Sequence, residues 1–340
     1  MSHPAPADPA APATMRAIVI TRPGGLDALE IKEVPVPPRK PGWVRIKVRA
    51  FGVNESEVTT RKGESDAEVT YPRIPGIEGV GVVDAADADS GLRPGRQVAT
   101  MMGGMGRSYD GAYAQYVTVP AGQVIPFETS LPWEVVGALP EMFQTAYGSL
   151  TRGLDLRPGQ TLLIRGGTST VGLSAATMAK ELGATVISTT RNPERADELR
   201  EMGVEHPITD DGTIADKVRD LAPDGVDAAL ELVGCTVWPD TFHCVRVHGT
   251  VCFTGALGGG WTVPDFTPFM IPSGVRLTSY AGEADDLPAQ VFQQQLQAIA
   301  DGRLNVPVAK SYRGLEQVRD AQADVESGTR PGKHVVVLDG

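Results

Sequence analysis

The residues RGGTSTVG, 165–172, join a short apolar run to a stretch with helical spacing. Strand, glycine turn and helix in that order are the context in which a loop cradles the pyrophosphate of a dinucleotide. Gly167 is expected to allow the tight turn, and Gly172 to let the helix pack closely on its sheet. Thr168, Ser169, Thr170 and Val171 are then the residues a phosphate would meet, through backbone N–H groups and the positive end of the helix dipole. Ser169 stands where the usual fingerprint has its middle glycine. It is small, and its hydroxyl can itself donate to a phosphate oxygen. A structural turn that binds nothing is the plainer alternative.

A second feature concerns which dinucleotide. An NAD site usually places Asp or Glu ~20 residues beyond the first glycine, where it accepts from the ribose hydroxyls. Between Glu181 and Glu194 this chain has no acid. It has STTRNPER instead, with Ser188, Thr189, Thr190, Arg191 and Arg195. Hydroxyls and guanidinium groups suit a 2′-phosphate, so NADPH is expected over NADH. The alternative is a solvated loop that happens to be basic.

These residues need elements to hold them. TLLIR (161–165) reads as a strand, and Val171, Ala175, Met178, Ala179 and Leu182 recur at helical spacing up to a Gly183 stop. ATVIST (184–189) is the next strand and PERADELREMG (193–203) a helix with Pro at its start and Gly at its end. VDAALELVG, GTVCFTG and VRLTSY follow as further strands. Strand and helix alternating in this way predict a doubly wound parallel sheet over 138–281. Before it, dense Pro and Gly punctuate short strands. WVRIKVRA (43–50) alternates, with Val44, Ile46, Val48 and Ala50 on one face and Arg45, Lys47 and Arg49 on the other. Residues 15–137 therefore read as a mostly β domain. The last sixty or so residues, 282–340, are too few for a domain of their own and are expected to return to it. The Pro/Ala-rich residues 1–14 lack the pattern of a signal peptide and read as a disordered tail.

The chain has 340 residues, 41% hydrophobic and 21% charged, an ordinary globular balance for about two domains. A net charge of −11 argues against nucleic acid or an anionic membrane surface as partner. Cys235, Cys244 and Cys252 have no zinc-site spacing and read as buried thiols of a reducing, cytoplasmic compartment. No apolar run is long enough to span a bilayer.

Further stretches carry a resemblance: AFGVNESE (50–57), YPRIPGIEGVGVV (71–83), GAYAQYVTVP (111–120), ALPEMFQTAYGSL (138–150) and GKHVVVL (332–338). With the phosphate loop, they make the chain resemble the zinc-free medium-chain dehydrogenase/reductase superfamily, in particular its quinone-oxidoreductase-like (zeta-crystallin-type) members. The resemblance runs from Met15 to Gly340. It implies an α/β fold, a GroES-like β domain with an inserted Rossmann domain, and a homodimer. In the zinc branch of that superfamily a Gly-His-Glu motif supplies a metal ligand; here the run is Gly76-Ile77-Glu78, and no His lies between His3 and His206. No metal is expected, since catalytic zinc needs about three protein ligands.

The resemblance also points to site residues. Asn54 matches the Asn of a Gly-Val-Asn motif beside the nicotinamide, where its amide can donate to a developing oxyanion; capping the helix-like NESEVTTRKG is the alternative. Glu57, three residues on, is either a capping-box partner or a proton-transfer group. Tyr71 is a candidate proton donor or a packing residue. Thr145 resembles a threonine near the nicotinamide, with Gln144 and Tyr147 on the same stretch. Gly255, Ala256 and Leu257 follow the strand where the family's backbone passes the nicotinamide ring. His243 and His248 read as structural. Trp261, Phe266 and Phe269 suggest an apolar acceptor, or else core or dimer contacts. The function implied is hydride transfer from NADPH to a quinone or other conjugated carbonyl, whose own conjugation makes a metal unnecessary. Two alternatives stand beside it: an enoyl reductase acting on an unsaturated thioester or biosynthetic intermediate, and a cofactor-binding structural or regulatory protein.

Overall fold

A computed structural model describes residues 11–65 and 68–338. The expected tail therefore lies outside the described residues in its first ten positions. In chain order the elements are β1 Thr14–Val19, β2 Glu30–Pro35, β3 Trp43–Val53, α1 Glu55–Lys62, β4 Glu78–Ala85, β5 Gln97–Met101, β6 Tyr116–Pro120 and β7 Val124–Pro126. Then come α2 Trp133–Val136, α3 Leu139–Gly148, β8 Thr161–Arg165, α4 Thr170–Leu182, β9 Thr185–Thr190, α5 Ala196–Glu201, β10 His206–Thr209, α6 Ala215–Leu221 and β11 Val226–Glu231. Last are α7 Trp238–Cys244, β12 Val245–Phe253, β13 Arg276–Ser279, α8 Ala289–Ala300, β14 Val308–Arg313, α9 Val318–Ser327 and β15 Lys333–Val337.

The chain divides into two compact units. The first comprises residues up to Glu141, Glu283–Gln297 and Val308 onward; the second comprises Met142–Gly282 with Ala298–Pro307. The short piece 298–307 was expected with the first domain. It joins the second because Asn305 N–H donates to Thr177 Oγ1 (3.1 Å) and Asn305 Nδ2 to the Glu201 carbonyl (2.6 Å).

In the first unit the sheet order is β14-β15-β3-β4-β5-β7, with β6 pairing β3, and β1 and β2 form a separate antiparallel pair. β15 lies antiparallel to β3, with Val335 opposite Gly52. So GKHVVVL does return to the β domain. The alternating face of β3 buries Val44, Ile46, Val48 and Ala50 as its pattern demands. Arg45, on the other face, is buried too, because Asp84 of β4 accepts from its Nε at 2.6 Å.

The second unit holds a wholly parallel sheet in the order β10-β9-β8-β11-β12-β13. Counting from β8 this is the 3-2-1-4-5-6 order of dinucleotide-binding sheets, with its reversal beside β8, where such sheets bind ligands. β10, α6 and α7 were not expected from the sequence. HPIT is a short, half-exposed edge strand with no alternating pattern. α6 and α7 show their worth only in packing: Ile214, Val218, Trp238 and Phe242 bury against Leu163, Ile187 and Ala229 of the sheet. Each such fully buried large side chain contributes about 1.5–3 kcal/mol.

The cysteines differ in part from expectation. Cys244 and Cys252 are buried free thiols, whereas Cys235 is half-exposed, since it lies on the loop after β11 and not within a strand. No helix among the described residues is long and apolar enough to cross a membrane.

Candidate functional site

The loop after β8 does turn tightly, but at Gly166, whose φ is +90°. That conformation is open to glycine and strained for other residues. Gly167, expected to make the turn, has a different task. A Cβ there would stand 1.9 Å from Ser188 Oγ and 2.9 Å from the Thr189 carbonyl, so its lack of a side chain lets the loop lie against β9. Gly172 behaves as expected: a Cβ would meet the Gly166 carbonyl at 2.7 Å and Gly167 Cα at 2.9 Å.

Ser169 is the N-cap of α4. Its Oγ accepts from the Gly172 N–H (3.1 Å) and donates to the Gly166 carbonyl (2.8 Å). Its one proton is thus engaged within the loop, and the expected donation to a phosphate is replaced by a cap. Capping leaves Thr170 and Val171 in the first helical turn, where no helical carbonyl can reach their N–H groups. An anion is stabilised there by those groups and by the helix dipole.

A cavity of ≈ 410 Å³ opens beside this loop, lined by Gly166, Thr168, Thr189, Thr190, Arg191, Asp210, Asp211, Gly212, Val233, Val237, Leu257 and Gly258. Arg191 is exposed at its edge. Arg195 is half-buried and is not among the lining residues. Two hydroxyls of the STTRNPER segment, those of Thr189 and Thr190, hold backbone. Ser188 is wholly buried; Thr189 Oγ1 accepts from the Gly166 N–H (3.0 Å); Thr190 Oγ1 donates to the Asn192 carbonyl (3.0 Å) and accepts its N–H (3.1 Å). Thr168, Thr190 and Arg191 all line the cavity. Opposite, the segment Gly255-Ala256-Leu257 runs beside the loop after β11: Leu257 N–H donates to the Leu232 carbonyl (2.9 Å), and the Leu257 side chain is 64% exposed and faces this cavity.

In the first unit a separate polar cluster surrounds Asn54. Lys333 is wholly buried and donates to Glu78 Oε1 (2.9 Å), to Glu141 Oε2 (2.9 Å) and to Asn54 Oδ1. Asn54 Nδ2 donates to Glu78 Oε1 at 2.9 Å. The amide is therefore fixed with its oxygen on the ammonium and its nitrogen on the carboxylate. Glu78 also accepts the Glu141 N–H (2.8 Å). Glu57 reaches back to the Asn54 N–H (2.8 Å), as a capping-box residue does, and also accepts the Ile77 N–H (2.7 Å). Burial pushes its carboxyl up to about 7, against the lowering effect of those backbone donors. Burial likewise raises Glu78, with Lys333 opposing.

Tyr71 donates its hydroxyl proton to the Thr60 carbonyl at 2.6 Å. That bond ties the loop to α1, as the packing alternative expects. In the second unit Thr145 Oγ1 donates to Gln144 Oε1 (3.2 Å), and the buried Gln144 donates from Nε2 to Tyr280 Oη (2.7 Å). Tyr147 is half-exposed near the end of α3. His243 and His248 are exposed, and the carbonyl of His243 holds Arg219. A larger cavity of ≈ 520 Å³ in the first unit is lined by Trp43, Tyr109, Tyr116 and several prolines. It lacks both the glycine turn and a helix N-terminus, so the smaller cavity is the better ligand site.

Comparison with known proteins fits this geometry. The model for the alcohol dehydrogenase GroES-like domain matches residues 40–129, and that for the zinc-binding dehydrogenase matches residues 170–300. The chain is 25% identical to the Homo sapiens quinone oxidoreductase over 330 residues, covering 95% of this chain and 98% of that protein. The chain belongs to the medium-chain dehydrogenase/reductase superfamily. Within the superfamily it is quinone-oxidoreductase-like. It is also 30% identical to the Rattus norvegicus synaptic vesicle membrane protein VAT-1 homolog over 245 residues, 71% of this chain. That match spans only 59% of the length of that relative. Among solved structures, mycobacterial Rv1454c complexed with NADPH superposes with a TM-score of 0.81 at 28% identity, covering 95% of this chain and 99% of that one.

Against the superfamily frame, the residues that sequence reasoning missed share one trait. Arg165, Asp210 and Lys333 are charged residues inside or beside strands, and a strand reading treats such residues as solvent-facing. The one available signal was their company. Lys333 stands in an otherwise apolar strand with β3 as neighbour, and Arg165 ends an apolar run one residue before the glycine turn.

Proposed function

We propose that the protein is an NADPH-dependent oxidoreductase that transfers hydride to a quinone or other conjugated carbonyl. The observation that carries the reading is the glycine loop leading to the capped N-terminus of α4, whose Gly166 and Thr168 line a cavity with Arg191 at its edge. The residues fit a phosphorylated dinucleotide. Gly166, Gly167 and Gly172 bring backbone close where side chains would block it. Thr170 and Val171 offer N–H groups, and Arg191 offers a cation suited to a 2′-phosphate. When bound, the reduced nicotinamide supplies the hydride. Leu257 and Gly258 make part of the wall.

In the same reading Asn54 is the donor to the acceptor's oxygen, its amide orientation already chosen. Lys333 occupies Oδ1, so only Nδ2 can donate to a developing enolate or phenolate oxygen, and it does so by exchanging its long 3.5 Å bond to Glu57 while keeping Glu78. Thr145 holds the carboxamide end of the cofactor. Neither role needs a metal. Ile77 stands where the zinc branch has its ligand, and Glu78 already meets the ammonium of Lys333. With Tyr71 bonded to the Thr60 carbonyl, the enoyl-reductase alternative draws no support of its own from this residue. The active form is a homodimer: β13 is an edge strand, and Trp261, Phe266 and Phe269 on the connection leading to it are 59%, 46% and 96% exposed. Exposure on this scale supports the dimer-contact reading over the core one, although Phe266 and Trp261 also touch Trp238 and Phe253.

The test is oxidation of NADPH and of NADH by the purified chain against a panel of quinones, enones, enoyl thioesters and simple aldehydes. NADPH oxidation with quinones or enones, and little with simple aldehydes, is the expected result. Binding of NADPH with no turnover on any acceptor would leave a non-enzymatic protein instead.

A further inference from the structure

The wall of the dinucleotide cavity contains two carboxylates, Asp210 and Asp211, which ought to repel an anionic ligand. Each has a cation. Asp211 meets Lys217 Nζ at 2.7 Å, near the surface. Asp210 meets Arg165, whose side chain has no exposed surface at all. Arg165 Nε donates to Asp210 Oδ2 (2.8 Å) and Nη2 to Asp210 Oδ1 (3.0 Å), a two-pronged pair. The remaining donors reach the Gly212 carbonyl (3.0 Å), the Val237 carbonyl (3.0 Å), Thr241 Oγ1 (3.0 Å) and Asp240 Oδ2 (2.9 Å). Three of these partners, Asp210, Gly212 and Val237, line the cavity. Asp210 Oδ1 also accepts the Gly212 N–H at 2.9 Å.

We infer that Arg165 is a positioning and charge-masking residue for cofactor choice: it stands behind the cavity wall and neutralises Asp210, so that the wall tolerates a 2′-phosphate. With two donors on Oδ1 and Arg165 on Oδ2, Asp210 is also a poorer ribose acceptor than the free acid an NAD site uses. The chain thus holds an acid in the cavity without the cofactor preference that an acid would otherwise impose. A lysine could not replace this device, because an ammonium cannot span two carboxylates and two carbonyls in one plane. The inference rests on reading this cavity as the dinucleotide site.

The test measures dissociation constants of NADPH and NADH for the full chain by nicotinamide fluorescence, in the wild type, Arg165→Met, Asp210→Asn and the double variant. The quantity read is the ratio of the two constants, which general loosening of the fold does not move. Arg165→Met is expected to shift the ratio toward NADH by about tenfold, by exposing the charge of Asp210 to the phosphate. Asp210→Asn is expected to shift it the opposite way by about threefold, and the double variant to return it near the wild-type value. Equal weakening of both cofactors by Arg165→Met, or an unchanged ratio in Asp210→Asn, overturns the inference. If Arg165→Met does not fold, the Asp210→Asn ratio decides alone. A wild-type preference for NADH would overturn the functional reading, while the direction of the Asp210→Asn shift would still decide this one.

Discussion

At the scale of single residues, the first unit is governed by a buried lysine among carboxylates. Lys333 is held by Glu78, Glu141 and Asn54 with almost no contact with water. Removing one partner of such a group leaves an uncompensated charge, which costs about 3–5 kcal/mol. Lys333→Met should therefore lower the urea midpoint sharply. Adding Glu78→Gln should recover part of the loss, because it removes the orphaned charge; a double variant no better than the single one would contradict this. Glu57 makes a separate prediction. Its native carboxyl lies near 7, above the ordinary 4.5, because burial favours the neutral form. The stability it contributes is thus fully present below pH about 4.5 and is lost as pH rises through about 7, by up to about 3 kcal/mol. Glu57→Gln should flatten that loss in unfolding free energies measured across the same pH window. The role of Lys333 was not legible in the sequence. Glu57 was legible as a capping partner from its spacing to Asn54. Its titration depends on burial beneath Ile77, which spacing does not reveal.

At the scale of elements, the proposed function makes the β8–α4 connection decide binding. Its existence was legible, since an apolar run, a glycine cluster and a 3.6-residue period all agree there. The division of labour inside it was not. Gly166 and not Gly167 takes the positive φ, and Ser169 caps the helix instead of reaching for a ligand. Which glycine turns is set by how closely β9 approaches, a contact between segments about twenty residues apart. Ser169→Ala should cost about 1 kcal/mol of stability, the usual worth of an N-cap, and weaken NADPH by only a few-fold. A stability unchanged with binding abolished would restore the phosphate-donor role. Gly172→Ala is the harsher change, because its Cβ would press on backbone atoms of Gly166 and Gly167 that cannot move independently. It should weaken NADPH by more than about tenfold in the same fluorescence titration.

At the scale of the whole molecule, the doubly wound sheet and the return of the C-terminal strand to the β unit were both readable from the order of periodic segments. The edge strand β10 and the place of residues 298–307 were not, because each is fixed by tertiary contacts and not by local pattern. The exposed aromatics before β13 carry the prediction at this scale. Light scattering should give the mass of two chains for the wild type, and Phe269→Asp with Trp261→Ser should shift it toward one; a wild type of single-chain mass would contradict the dimer. The central claim is narrower: a cavity at the start of α4 selects NADPH for use against a conjugated acceptor. It is tested most directly by following the near-ultraviolet absorbance of NADPH and of NADH in parallel, with one quinone as acceptor and with Arg191→Ala alongside the wild type. The account predicts faster oxidation of NADPH at equal low concentration, with that advantage lost in Arg191→Ala. Faster oxidation of NADH by the wild type would contradict it.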